Sequence, residues 1–308
     1  IHVDLGRITS KYDCVLGANL HPDLPVDRHV FVKRIRAWVN ADGFLSPLDA
    51  GNLASFEPGP KPVWHFIANA GDGRTVQIDM SAEMLPGKNT TVFRFSRPTA
   101  EAALGKQLPA EAEVRLTVRV DIEDRNFHWE THRNGGAEHH FSTHTHPLNA
   151  DGRAGAPAGF AFTPAPDRQL RVFSDNGLYH PQPEWCENIP HPVEQSRGQV
   201  GSGDAFSPGW FELPLPKGGA STLTLTAEPD PELTPPRFSL ESETVGDMFE
   251  SRLARAARMF VVRRGRGKTV VAGYPWFLDW GRDTLICARG LLAAGMIEDV
   301  KSILLTFA

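Results

Sequence analysis

The chain has 308 residues, with 41% hydrophobic and 22% charged, ordinary globular proportions that provide for a packed core and exclude wholesale disorder. Lysine and arginine total 32 against 37 acidic residues, a net charge of −5 that argues against a nucleic-acid-wrapping protein and points to an uncharged partner. No run of apolar residues is long enough to span a membrane.

The three cysteines, Cys14, Cys186 and Cys287, are widely spaced with no CxxC pair, so reduced, buried thiols in a cytoplasmic protein are expected. The chain opens on Ile1 with no signal-like segment. At the other end Ile297, Val300, Leu304 and Phe307 keep helical spacing up to Ala308 with no stop residue, so an excerpt of a longer protein is expected.

Residues 1–229 read as β. Short or alternating apolar runs recur at 29–40, 63–70, 75–80, 91–95, 114–122, 170–173 and 221–226. Turn formers separate them, as in Ala41-Asp-Gly43, Gly71-Asp-Gly73 and Leu85-Pro-Gly87. Strand after strand without helical periodicity predicts an antiparallel β-sandwich of the super-sandwich kind. Residues 149–166 and 179–209, rich in glycine or proline, read as long loops.

At residues 230–236 the character changes. Four prolines between Glu228 and Pro236 predict a stiff linker and a domain boundary. Beyond it, Val245, Met248, Phe249, Leu253, Ala256, Met259 and Phe260 form a stripe that predicts a helix over 240–262. A basic glycine-rich stretch, Arg263–Lys268, reads as a solvated loop, because no strand–loop–helix phosphate-binding pattern surrounds it. Two further helices are predicted over 282–294 and 296–308, parted by Gly295, so that 237–308 reads as helical hairpins.

Two groups of residues carry chemistry. Between Gly273 and Thr284 lie Tyr274, Trp276, Phe277, Trp280, Asp279, Asp283 and Arg282, at a loop-to-helix junction. Aromatic faces stack on the C–H faces of a pyranose, while Asp and Arg hydrogen-bond its hydroxyls. The alternative is structural: Asp279 or Asp283 caps the helix, and the tryptophans are core. Asp279 and Asp283 suit an acid–base pair poorly, since i,i+4 positions on a helix are about 5–6 Å apart on one side of a substrate. The second group is His128, His132, His139, His140, His144 and His146. His144 and His146 on one strand would share a face, yet no tetrahedral ligand spacing follows, so a polar sheet rim around Asn134-Gly-Gly136 is expected, without metal.

The stretch Tyr274-Pro-Trp-Phe-Leu-Asp-Trp-Gly-Arg-Asp-Thr284, followed by Gly290-Leu-Leu292, resembles the hallmark of bacterial glycogen debranching enzymes of the amylo-α-1,6-glucosidase family, where it opens an (α/α)6 barrel. Thr9-Ser-Lys-Tyr-Asp13, Arg28, Trp38-Val-Asn40, Trp185-Cys-Glu-Asn188, Glu194, Arg197-Gly198 and Asp204–Gly209 resemble that family's N-terminal sandwich, in the expected order. The resemblance implies hydrolysis of α-1,6-linked glucose at the branch points of glycogen or a branched α-glucan, by inversion and without a cofactor. By likeness to glucoamylases, Arg282 and Asp283 would hold the glucose hydroxyls and Trp280 would wall the pocket, with Trp276 and Asp279 alongside. The acid and base would lie beyond Ala308, leaving the excerpt inactive. Another (α/α)6 glycosidase, such as a glucoamylase or trehalase, and a non-catalytic carbohydrate-binding or assembly module remain the alternatives.

Overall fold

A computed structural model describes residues 7–21, 28–59, 61–100, 105–148, 157–229, 249–274 and 276–308. The expected linker, 230–236, lies outside them. The described residues fall into two compact units, one of 7–18 with 30–229, the other of 249–308 (Pro275 apart) with 19–21 and 28–29.

The first unit opens with strands β1 (Leu16–Asn19), β2 (Arg28–Ala41), β3 (Phe44–Pro47), β4 (Leu53–Glu57) and β5 (Val63–Asn69). Next come β6 (Arg74–Met84), β7 (Thr90–Ser96), β8 (Lys106–Gln107) and β9 (Val114–Asn126). Helix α1 (Gly135–His144) leads into β10 (Thr145–Pro147), β11 (Ala158–Ala165), β12 (Arg168–Ser174), β13 (Leu178–His180) and β14 (Glu184–Pro190). A short helix α2 (Pro192–Ser196) precedes β15 (Ser202–Ser207), β16 (Trp210–Pro214) and β17 (Ala220–Thr226).

These strands make two mainly antiparallel sheets. One runs β1-β2-β9-β15-β14, with β3 beside β2 and β16 joining β9 to β13. The other runs β10-β11-β12-β17-β7-β6-β5-β4, with β8 parallel to β6. Period-two burial explains the arrangement. Along β5, Trp64, Phe66 and Ala68 are buried and sit opposite Met80, Ile78 and Val76 of β6. Met80 and Ala82 in turn face Phe95 and Phe93 of β7. The two sheets meet through Phe160 of β11, whose ring lies 5.6 Å from Tyr179 and 6.4 Å from Phe211.

Several expectations change. Residues 149–166 include β11: Phe160 and Phe162 alternate into the core, and Gly159 is there because a Cβ would sit 2.1 Å from the Val172 carbonyl. Residues 179–209 hold β13 to β15 and α2 rather than a loop. Asn134-Gly-Gly136 begins α1, with the Asn134 side chain accepting from Ala137 N. His139, His140 and His144 are therefore helical and only His146 is on a strand, so His144 and His146 do not share one strand face. His140 pairs with Asp124 at 2.9 Å.

In the second unit the described part of the expected helix over 240–262 is α3 (Phe249–Phe260). Val261 and Val262 belong instead to β18 (Val261–Arg264), which pairs with β19 (Gly267–Val270). The basic stretch is thus a hairpin turn, with Gly265 at φ 55°. Lys268 pairs with Asp299. Helices α4 (Gly281–Ala293) and α5 (Ile297–Phe307) follow, turned by Gly295 at φ 77°, where a side chain would strain the backbone. Val270, Ala288, Leu291, Met296, Val300 and Ile303 form the core of this unit. All three cysteines are free, but none is fully buried: Cys14 and Cys186 are half-buried and Cys287 is exposed on α4. Among the described residues, no helix is long and apolar enough to cross a membrane.

Under the first sheet lies a buried polar knot. Glu194, almost inaccessible to solvent, accepts from Ser10 Oγ at 2.8 Å and Lys11 N at 3.0 Å. Lys33 Nζ donates to the Ser10 and Lys11 carbonyls, and Arg125 donates to the Lys11 carbonyl at 2.7 Å and pairs with Glu123. His191 is buried beside them. Burial, then Lys33 and Arg125, lower its pKa from 6.5 to about 4 against the pull of Glu194 and Glu130. Between those values the unfolded chain binds a proton that the folded chain refuses, so stability falls as pH drops from 6.5 to about 4. Urea unfolding at a series of pH values should therefore give a shallower acid limb for His191→Gln than for the parent chain. Equal slopes would show that His191 charges freely in the fold.

Candidate functional site

The Trp276–Asp283 stretch is held from below by the β18–β19 hairpin. Asp279 forms an isolated bridge with Val271, and Ala272 N donates to the Leu278 carbonyl. The Asp279 carboxylate, nearly buried, accepts from Thr269 Oγ1 and pairs with Arg264 Nη1, both at 2.9 Å through Oδ2. Thr269 is fully buried. A charged hydrogen bond of this kind fixes the loop more firmly than backbone bonding alone. Tyr274 closes the loop's other end, its hydroxyl donating to the Met259 carbonyl at 3.3 Å and its ring 5.5 Å from Phe260.

Trp280 is the N-cap residue of α4, with no side-chain cap bond. Neither aspartate takes that position: Asp279 precedes the helix in a bridge, and Asp283 lies in its first turn. Asp283 still gains from the helix dipole there. Its carboxylate lies 3.8 Å from Arg282 Nε, a loose pair at the surface. The Arg282 side chain is 78% exposed, and Trp276, Phe277 and Trp280 are 40%, 54% and 54% exposed. These aromatics are therefore not core. Thr284, Ala288 and Leu291, on the opposite side of α4, are the ones that are buried.

The structure thus separates the five residues singled out from the sequence. Trp276, Trp280, Arg282 and Asp283 project into solvent from one junction, while Asp279 turns toward the hairpin. Sequence reading missed Arg264 and Thr269, the residues that hold Asp279. The only signal for Arg264 was an arginine in a stretch read as solvated. A cavity of about 590 Å³ lies elsewhere in this unit, between the hairpin turn at Arg266 and the α5 residues Lys301, Ser302 and Leu305.

The motifs shared with the N-terminal sandwich also fall together. Asp13 accepts from Thr9 N, Thr9 Oγ1 and Ser10 N, and Val193 N donates to the Thr9 carbonyl. Asp204 accepts from Asn188 N at 2.8 Å and Arg133 N at 2.7 Å, bracing the β14 bulge where Asn188 has φ 57°.

Comparison with protein families agrees with this grouping. The family model described as glycogen debranching enzyme N terminal matches residues 4–222. The model described as amylo-alpha-1,6-glucosidase matches residues 255–308, which include the Trp276–Asp283 stretch. No individual curated protein matches. The chain belongs to the glycogen debranching enzyme family.

The two aspartates should respond differently to neutralisation. Asp279→Ala strands Arg264 and Thr269 and should cost about 1–3 kcal/mol, the scale of a charged hydrogen bond. Asp283→Asn should leave the melting temperature within about a degree, as surface changes do. Thermal unfolding of the two variants side by side tests this. A larger loss for Asp283→Asn would make Asp283 a structural residue.

Proposed function

We propose that this chain is the N-terminal sandwich and the opening of the (α/α)6 catalytic domain of a cytoplasmic bacterial amylo-α-1,6-glucosidase. Its substrate is glycogen or a related branched α-glucan, and it needs no cofactor. The observation that carries the reading is Arg282, exposed beside Asp283 at the start of a helix to which it brings nothing. A cation at a helix N-terminus opposes the dipole, so Arg282 brings α4 no gain there. Beside Asp283 it forms a donor-and-acceptor pair suited to the neighbouring hydroxyls of a glucose unit. Trp280 and Trp276 supply apolar faces next to that pair. Asp279 positions the loop through Oδ2, tied to Thr269 and Arg264.

In this reading the reaction is an inverting hydrolysis. A carboxylic acid protonates the leaving oxygen, and a carboxylate about 6.5–9.5 Å away activates water on the opposite face. Asp279 is committed to Arg264 and Thr269, and Asp283 alone cannot flank a scissile bond from both faces, so this reading assigns both catalytic carboxyls to later helices of the complete enzyme. The residues of this chain then bind and orient the terminal glucose, and their contribution is transition-state binding through preorganised contacts.

In the complete enzyme Arg282→Ala and Asp283→Asn should each lose about 2–4 kcal/mol of transition-state stabilisation in kcat/KM on a branched limit dextrin. Near-normal kcat/KM in both variants would remove the pair from the site. The 308-residue chain alone should release no glucose from the same dextrin. Glucose release above a vector control would place the acid and base within residues 1–308.

A further inference from the structure

We propose that the solvent face of the first sheet, across β2, β9, β16 and β13, is a non-catalytic binding surface for an extended neutral α-glucan chain, with Trp38 and Trp210 as its stacking faces. The polymer's identity rests on the debranching reading above, whereas the surface itself is argued from the sheet.

Alternation puts one set of side chains outward here. On β2, Arg34, Arg36 and Trp38 share a face, while Ile35, Ala37 and Val39 are buried. Trp210 of β16 sits opposite Arg119 of β9 on one side and His180 of β13 on the other. Trp210 and His180 stack at 3.9 Å and 19°, and the Trp210 indole N–H donates to Gln182 Oε1 at 3.0 Å. Both the ring plane and the indole edge are thereby fixed, and the side chain is half-buried, with one ring face against His180 and part of its surface in solvent. Trp38, also half-buried, has the Arg36 guanidinium 5.6 Å from its ring centroid. β2 and β16 flank β9, so the two tryptophans stand on strands about 10 Å apart, two strand spacings. That span suits an oligosaccharide better than a single sugar.

Between the tryptophans runs a network already satisfied internally. Asp121 takes Arg34 at 2.7 Å and Arg36 at 2.8 Å. Glu184 takes Arg36 at 2.7 Å and lies 3.5 Å from Arg119, and Arg119 also donates to the Gln182 carbonyl. Glu212 lies 3.8 Å from His180. Arg34, Arg36, Arg115 and Arg119 stand against Asp121, Glu184, Glu212 and Glu113, so the face carries no net charge. An anionic or cationic polymer finds no complement there. A polyhydroxyl chain meets the partly exposed edges of Arg36, Arg119 and Glu184, held in place by that network between two aromatic side chains, the preorganised combination that sugar recognition uses.

The test is native electrophoresis of the 308-residue chain through gels containing soluble glycogen, with Arg282→Ala present throughout to silence the candidate active site. The chain should be retarded, and Trp38→Ala or Trp210→Ala should weaken binding about tenfold, the loss of one stacking face. Trp129→Ala, which removes an exposed tryptophan outside this face, should leave it unchanged. Replacing Trp210 by Leu or by Phe guards against misfolding, since Phe should retain most of the binding and Leu should not. Absence of retardation, equal binding by the Leu and Phe variants, or equal retardation by polygalacturonate would overturn the proposal. Glucose release is not measured, so failure of the glucosidase reading would appear only in the turnover assay.

Discussion

A carboxylate taken out of water must find partners, and the first unit is organised around that constraint. Glu194 is buried 184 residues away in sequence from the Ser10 hydroxyl that bonds it. With Lys11 N as its second donor, it holds the N-terminal segment against α2. Lys33 and Arg125 then cap the carbonyls that this segment exposes. Burial lowers the pKa of Lys33 to about 8, a sign that the position is expensive for a cation. Removing any one member leaves another unpaired in the interior, which is why such knots are kept whole. The knot lies at the Arg125 end of β9, and the same strand carries Asp121 and Arg119 onto the open face.

The second unit solves a similar problem with fewer residues. Its aromatic-rich loop contributes little to the core, which Val270, Ala288, Leu291 and Ile303 build with their neighbours. The loop is instead tied to the hairpin by the Asp279–Arg264 pair and the Asp279–Thr269 bond. A buried threonine and a nearly buried carboxylate make that tie stiff, and a stiff tie is what lets the next residues stand in solvent at set positions. Gly267 helps to close the scaffold, since a Cβ there would lie 2.2 Å from Thr306 Oγ1 of α5.

Much of this was legible in the sequence where one signal acts alone. Alternation in β5, β6 and the first half of β9 marks each strand, because one face is more buried than the other, whereas β17 is buried along both faces. Asp42 and Asp72 with their glycines mark turns, and both aspartates take positive φ. The misses arise where two signals compete. In β11 the glycine and proline content of 149–166 outweighed the Phe160–Phe162 alternation, although Gly159 serves close strand approach. In α1 the Asn-Gly-Gly run read as part of a polar sheet rim, whereas the asparagine is a cap and His139, His140 and His144 are helical. At the candidate site, the exposed aromatics and the Arg282–Asp283 pair were readable from residue type. The role of Asp279 was not, because its partners Arg264 and Thr269 approach only once the hairpin folds.

Helices α4 and α5 carry apolar residues on more than one side. One side of α4 and α5 is accounted for by Ala288, Leu291, Val300 and Ile303. Leu285, Ile286 and Leu292 of α4, with Leu304 and Leu305 of α5, remain between 46% and 79% exposed. On α3, Phe249, Leu253 and Met259 are likewise exposed, and no residue of that helix is buried. Scattered apolar residues on a surface need no explanation, but contiguous ones on three successive helices do. A helix amphipathic on one side only would satisfy a two-layer packing. Helices apolar on two sides can bury only one of them against the core that α4 and α5 share. The exposed second side of α4 and α5 is therefore a surface suited to packing against another element rather than to facing water.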